Sequence, residues 1–202
     1  MIIDVKQIEK PVFGKNYDIG NIGFIHRTGI GEKGFDRFIT AVISRFGSDA
    51  FAMFRPNHMF MVISKDEDIE ADGHDEGRVR IRNIYEHFKS NDLVIFKKLK
   101  PKVDIELIIN KAKMLLDTKF DEAVIFYMVF EKLLGLEKLL RNVSPPKFGS
   151  GIMCSNYFGW IFNHFPEYKN VDPLNKKHWG KITPTDFYKS KDIFEYHPII
   201  VA

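Results

Sequence analysis

One continuous apolar run constrains the fold of this chain more than any other segment. It reads His58-Met59-Phe60-Met61-Val62-Ile63-Ser64, and the polar residues 65–68 follow it. An apolar run of this length is typical of a central strand that is buried on both faces. Ile69-Glu70-Ala71 begins another short strand, so the two segments are predicted to form a β-hairpin.

The other segments divide into short strands and amphipathic helices. Strands are predicted at 22–26, 78–82, 92–97 and 193–201, and the alternation in 78–82 predicts one solvated face. Helices are predicted at 35–46, 104–116, 121–140, from Cys154 to near Pro166, and from Thr183, with Asp104, Asp121 and Thr183 as N-caps. We therefore predict one α+β domain over residues 1–202, with a mostly antiparallel sheet packed against helices.

Charge and hydropathy exclude several classes of function. The net charge of +3 over 202 residues gives no basis for nucleic-acid binding. The longest apolar run, Ala123 to Phe130, is too short to span a bilayer. The first ten residues lack the pattern of a signal peptide, so the sequence predicts a cytoplasmic protein.

The single cysteine, Cys154, is the strongest candidate for chemistry. A glycine-rich loop precedes it and an apolar helical pattern follows it, so it is predicted at a helix N-terminus. Such a position favours the thiolate, which is the nucleophilic form of the side chain. The alternative is packing, because a single cysteine in an apolar helix is most often a small buried hydrophobe.

A histidine and a carboxylate lie at ends of the predicted hairpin. If the strands pair as expected, His58 and Glu70 reach one face, where they supply the base and the orienting group that a cysteine nucleophile needs. Each also has an ordinary structural reading: His58 as a strand-end histidine, and Glu70 as a solvated acidic residue.

Four segments together resemble a known family. They are Gly20-Asn21-Ile22-Gly23-Phe24-Ile25, Asn57-His58-Met59-Phe60-Met61-Val62-Ile63, Ile152-Met153-Cys154-Ser155-Asn156-Tyr157 and Thr183-Pro184-Thr185-Asp186-Phe187-Tyr188-Lys189-Ser190. In order and spacing they resemble the circularly permuted, NlpC-type branch of the papain-like fold. That branch includes the YiiX-like proteins and the relatives of lecithin retinol acyltransferase. The resemblance spans about residues 18 to 197.

The resemblance implies a function and a role for each site residue. Cys154 would be the nucleophile, His58 the base and Glu70 the third polar residue, a place where relatives often carry histidine. Members of the group cleave amides in peptide-like substrates or transfer and hydrolyse lipid acyl groups, and no metal or organic cofactor is expected. The sequence departs from the pattern at Asn21, where Asp is usual, and at Asn156, where Glu is common.

Other readings of the chain are weaker. A catalytically silent binding module with the same fold is the main rival to an enzyme. Asp68 to Gly73 resembles the front of a calcium loop, but its twelfth position is Val79, where a bidentate Glu is required. His74, among Asp72, Asp75 and Glu76, is predicted to belong to a solvated acidic loop rather than to a metal site.

Overall fold

The computed structural model describes residues 11–26, 56–73, 77–88, 93–100, 102–140, 142–144, 151–195 and 199–201. The predicted helix at 35–46 and most of the acidic loop around His74 lie outside these residues.

The described residues form an α+β structure built on an antiparallel sheet. The strands are β1 (Ile22–His26), β2 (His58–Val62), β3 (Glu67–Asp72), β4 (Arg78–Asn83), β5 (Leu93–Lys97) and β6 (Ile199–Val201). Their order in the sheet is β4-β3-β2-β1-β5-β6, and each neighbouring pair is antiparallel. The predicted hairpin is confirmed, since Met61 pairs with Ile69 and Val62 with Asp68.

The helices follow in the second half of the chain. They are α1 (Ile105–Lys113), α2 (Glu122–Leu133), α3 (Glu137–Leu140), α4 (Cys154–Asn163), α5 (Pro166–Lys169) and α6 (Pro184–Lys189), and two 3-10 helices lie at Ile84–Phe88 and Trp179–Lys181. All three predicted N-caps are confirmed. Asp104 accepts from Glu106 N, Asp121 from Ala123 N, and Thr183 forms a capping box with Asp186.

Two predictions about these elements are wrong. The continuous helix over 121–140 is divided into α2 and α3, because Gly135 adopts a left-handed backbone with φ of 69°. The alternation of β4 does not give one solvated face: Arg80 and Arg82 are partly buried and form ion pairs with buried carboxylates of β3, and on the other face Val79 is buried and Ile81 is exposed.

The two faces of the sheet carry different cores. Met59, Met61, Ile69 and Ala71 belong to the larger core, which includes Tyr157, Phe158, Ile161 and Phe162 of α4. Phe60 and Val62 of β2 belong to a second core, with Tyr17, Ile25, Ile84, Val94 and Phe96. Successive side chains of a strand point to opposite faces, so alternate residues of β2 face different cores.

Candidate functional site

Cys154 is the first residue of α4, as the sequence predicts. Met153 is the N-cap, with an extended backbone (φ −98°, ψ 159°). Because a methionine side chain has no oxygen acceptor, it cannot cap the first amides of the helix. Cys154 is 4% exposed and clusters with Met153 against Phe120 and Met128. The thiol therefore combines a helix N-terminus, which favours the thiolate, with apolar burial, which opposes it.

The first turn of α4 also buries two polar side chains. Ser155 and Asn156 are 0% and 3% exposed. Within the described residues, neither Ser155 Oγ nor Asn156 Oδ1 has a hydrogen-bond partner. A buried polar atom without a partner is costly, so these two atoms are a destabilising feature beside the cysteine.

His58 and Glu70 form a close buried pair. His58 Nε2 lies 2.6 Å from Glu70 Oε2, and the two residues are 5% and 0% exposed. A carboxylate only accepts hydrogen bonds, so the contact requires the ring proton on Nε2. Nδ1 is then the ring nitrogen whose lone pair can take up a proton. The hairpin brings the pair together as expected, and Glu70 is not in a solvated loop.

Two arginines of β4 hold the other oxygen of Glu70. Arg82 Nη1 lies 3.2 Å and Arg80 Nε 3.7 Å from Glu70 Oε1. Arg80 and Arg82 also contact Asp72 Oδ2, at 2.9 and 3.4 Å. These contacts fix the carboxylate and compensate its burial, because a buried charge is tolerated only when it is paired.

Sequence reasoning missed a second histidine at this site. His87, on the 3-10 helix after β4, is 4% exposed, and its Nε2 lies 3.2 Å from Asp68 Oδ2 and 3.7 Å from Glu70 Oε2. Burial raises the pKa of Asp68 to about 6, although the neighbouring His87 opposes the shift. Carboxylates at alternate positions of β3, facing arginines at alternate positions of β4, are the sequence signal that could have indicated a buried network.

Asp68, Glu70 and His87 are also spaced like cation ligands. One ligand atom from each lies within 4.8 Å of the others. However, the Arg82 and Arg80 guanidinium groups face the same Glu70 carboxylate, and they would repel a divalent cation placed there. The charges of the cluster therefore favour hydrogen bonds and ion pairs among its side chains over a bound metal ion.

Cys154 and His58 lie toward the same end of the sheet. β2 begins at His58 and the antiparallel β3 ends at Asp72, so the start of β2 and the end of β3 lie at the same end of the sheet. A Cβ built on Gly73, the next residue, would meet the Phe120 ring at 2.8 Å, and Phe120 packs against Met153 and Cys154. The Phe120 ring thus connects the beginning of α4 to this end of the sheet.

The register nevertheless assigns the residues to different faces. α4 covers the face of Met59 and Met61, whereas His58 and Glu70 share the alternation of Phe60 and face the second core. Any approach of the thiol to the imidazole must therefore pass around the end of the sheet rather than across it.

Comparisons with known proteins identify no family for this chain. No protein-family model matches it, and no curated protein matches it either. Within the described part of the chain, no helix is both long enough and apolar enough to cross a bilayer.

Proposed function

We propose that this protein is a cysteine hydrolase of the circularly permuted papain-like type, which cleaves an amide bond in a small peptide-like substrate. The observation that carries the proposal is the buried contact of 2.6 Å between His58 Nε2 and Glu70 Oε2. Together with Cys154 at the start of α4, this pair supplies the three groups that thiol catalysis needs. The order of His58 and Glu70 before Cys154 agrees with the permuted branch that the sequence resembles.

Glu70 acts as the orienting group in this proposal. Its carboxylate holds the proton on His58 Nε2, and the arginines on its other oxygen hold it in place. His58 therefore presents Nδ1 as the base. Glu70 also stabilises the imidazolium that forms when Nδ1 takes up a proton.

The chemical steps follow from these roles. Cys154 Sγ loses its proton to His58 Nδ1 and attacks the carbonyl carbon, and the oxyanion is held by the backbone N–H of Cys154 at the helix start. His58 then returns the proton to the leaving amine as the C–N bond breaks, which leaves a thioester. A water molecule, deprotonated by His58, attacks the thioester, and the proton returns to the Cys154 sulfur as the acid leaves.

The proposal requires Cys154 Sγ to approach His58 Nδ1 at the end of the sheet where β2 begins. His58 is the first residue of β2, and Phe120 connects the edge near Gly73 to Met153 and Cys154. The thiol must meet Nδ1 around this edge. Catalytic contacts are often long in a structure without substrate and shorten when substrate binds. The short distance between Sγ and Nδ1 is therefore required in the complex with substrate.

Alkylation of the thiol tests the proposal without knowledge of the substrate. The rate of modification by iodoacetamide is measured against pH, by intact mass, for the native chain, His58→Asn and Cys154→Ser. The chain has one cysteine, so the difference in added mass between the native chain and Cys154→Ser reports Cys154 alone. We expect fast alkylation with an apparent midpoint well below the free-thiol value of about 8.5, and loss of this acidic limb in His58→Asn.

A matched control uses a histidine on the same helix. His164 is exposed at the C-cap of α4, so His164→Asn changes a histidine there without affecting the proposed base. Its alkylation profile should match that of the native chain. A slow profile that follows an ordinary thiol in the native chain, unchanged by His58→Asn, would contradict the proposal and favour a catalytically silent binding module.

A second candidate function is hydrolysis or transfer of a lipid acyl group by the same residues. The observation that favours it is an apolar stripe on α2 and the turn after it. Phe126, Phe130 and Leu134 recur at helical spacing and are 43%, 59% and 54% exposed. To distinguish the two functions, acyl esters and peptide anilides are offered in parallel to the native chain and to Cys154→Ser. The substrate class that adds an acyl mass to Cys154 identifies the function.

A further inference from the structure

The ring of His87 is held in a fixed orientation beside Glu70, the proposed orienting group. Its ring stacks on Phe60 with a centroid distance of 4.2 Å and an interplanar angle of 11°. The stacking directs Nε2 toward Asp68 Oδ2, at 3.2 Å, and toward Glu70 Oε2, at 3.7 Å. The same Glu70 oxygen lies 2.6 Å from His58 Nε2. One carboxylate oxygen is therefore approached by two buried imidazole rings.

We propose that His87 and Asp68 are positioning residues, which share the Glu70 carboxylate with His58 and thereby set how readily His58 takes up a proton. This inference rests on the proposed function, since it assigns the second histidine a role in controlling the base. Neither residue would contact the substrate.

The charges around Glu70 give the sign of the effect. A protonated His87 competes with His58 for the negative charge of Glu70, so it weakens the attraction that favours a protonated His58. An ionised Asp68 has the opposite effect, because it adds negative charge to the cluster and pairs with His87. Within the described residues, the charged or titratable groups around Glu70 are Asp68 and Asp72 on its own strand and His58, Arg80, Arg82 and His87 on neighbouring elements, and Glu86 pairs in turn with Arg82.

Substitution of the two residues should therefore shift His58 in opposite directions. His87→Gln removes the imidazole that competes with His58 for Glu70 Oε2, so the pKa of His58 should rise. Asp68→Asn removes negative charge, so the pKa of His58 should fall, in each case by about half a unit to one unit. A purely structural role of the pair predicts no such opposition of sign.

The test is an NMR titration of the His58 ring in the full chain, with the signal assigned by its loss in His58→Asn. The native chain is compared with His87→Gln, Asp68→Asn and His87→Phe. The last variant keeps an aromatic ring against Phe60 and lacks the charge. Glu67→Gln and His164→Gln are controls, because both residues are exposed and neither is part of the cluster. The alkylation profile of Cys154 is recorded for each variant.

Opposite shifts in His87→Gln and Asp68→Asn, with His87→Phe following His87→Gln, support the inference. An unchanged His58 titration in both variants overturns it, as does a shift in His87→Gln that His87→Phe does not share. Stoichiometric Zn²⁺ binding by the native chain that both variants abolish would also overturn it, since the cluster would then be a metal site. If His58 shifts as expected while Cys154 is unreactive in every variant, the network stands and the proposed hydrolase fails.

Discussion

His58 Nε2 lies 2.6 Å from Glu70 Oε2, and both side chains are buried on one face of the β2–β3 hairpin. Such a charge-assisted hydrogen bond is stronger than a neutral one, and it fixes both the tautomer and the orientation of the ring. Catalysis by the proposed mechanism should therefore depend on the charge of Glu70 as well as on its shape.

The first prediction concerns Glu70→Gln. The amide keeps the shape of the side chain and removes the charge that stabilises the imidazolium, so alkylation of Cys154 at neutral pH should slow by about tenfold or more. The measurement is the pH profile of alkylation by intact mass. Glu67→Gln, an exposed neighbour on β3, should leave the profile unchanged. Equal profiles for Glu70→Gln and the native chain would remove Glu70 from the mechanism.

The second prediction concerns the pH dependence of stability at Asp68. Burial raises the pKa of this carboxyl from 3.8 to about 6 in the folded chain. The folded protein therefore holds the proton more tightly than the unfolded chain, and folding loses stability as pH rises between these two values. Asp68→Asn carries no such titration.

Urea unfolding of the native chain and of Asp68→Asn at several pH values checks this sign. Between about pH 4 and pH 6, the free energy of unfolding of the native chain should fall relative to that of Asp68→Asn by up to roughly 3 kcal/mol. A difference that stays constant over this range would show that Asp68 titrates normally.

The third prediction concerns Gly159 in the interior of α4. Glycine in a helix normally destabilises by about 0.5–1 kcal/mol relative to alanine, so Gly→Ala usually helps. Here a Cβ would lie 2.6 Å from the carbonyl oxygen of Trp179. Gly159→Ala should therefore destabilise the protein by about 1–3 kcal/mol.

Thermal unfolding of Gly159→Ala measures this effect. Asn110→Ala on the exposed side of α1 serves as the control, because it gains helix propensity without a new contact, and its melting temperature should not fall. An increase in the melting temperature of Gly159→Ala would mean that α4 does not pack closely against the 3-10 helix at Trp179–Lys181.

How far the sequence could predict this structure differs between elements. The hairpin of His58 and Glu70 was predictable, because an apolar run, a polar turn and a second short strand are local signals. The arginine partners of Glu70 could not be predicted from Arg78-Val79-Arg80-Ile81-Arg82 alone, since that segment alternates in the same way whether its arginines face water or carboxylates; the alternate carboxylates of β3 are the additional signal that points to ion pairs. His87 reaches the site through a 3-10 helix and an aromatic stack, which leave no periodic pattern in the sequence.

The helices show the same division. Thr183 and Pro184 predict the start of α6, because capping is a contact between near neighbours in the chain. Gly135 was not predicted to end α2, since a lone glycine within an apolar helical pattern is often tolerated. Its backbone is left-handed, with φ of 69°, a conformation that glycine adopts without steric cost but that its presence in the sequence does not by itself require.

The fourth prediction concerns the buried ion pair of Lys181 and Glu131. Lys181 Nζ lies 2.6 Å from Glu131 Oε1 and 2.7 Å from the carbonyl oxygen of Leu140, and the two side chains are 6% and 5% exposed. Lys181→Met leaves a carboxylate buried without its cation and should destabilise the protein by about 3–5 kcal/mol.

A double-mutant cycle isolates this contact. Lys181→Met combined with Glu131→Met should cost less than the sum of the two single changes, because the double variant buries neither charge. Urea unfolding of the four proteins gives the coupling energy. Strict additivity would mean that the two groups do not stabilise each other in solution.

The hairpin contact between His58 and Glu70 also has a consequence for the order in which the site is assembled during synthesis. The two residues belong to neighbouring strands joined by a short turn, so their contact closes a small loop, and the arginines and the histidine that surround Glu70 also lie in the first half of the chain. Cys154 is translated much later and reaches the edge of the sheet only when α4 docks. Under the proposed function, a nascent chain would hold its base and its orienting carboxylate before it holds a nucleophile, and hydrolysis would begin only after the second half of the polypeptide has been made.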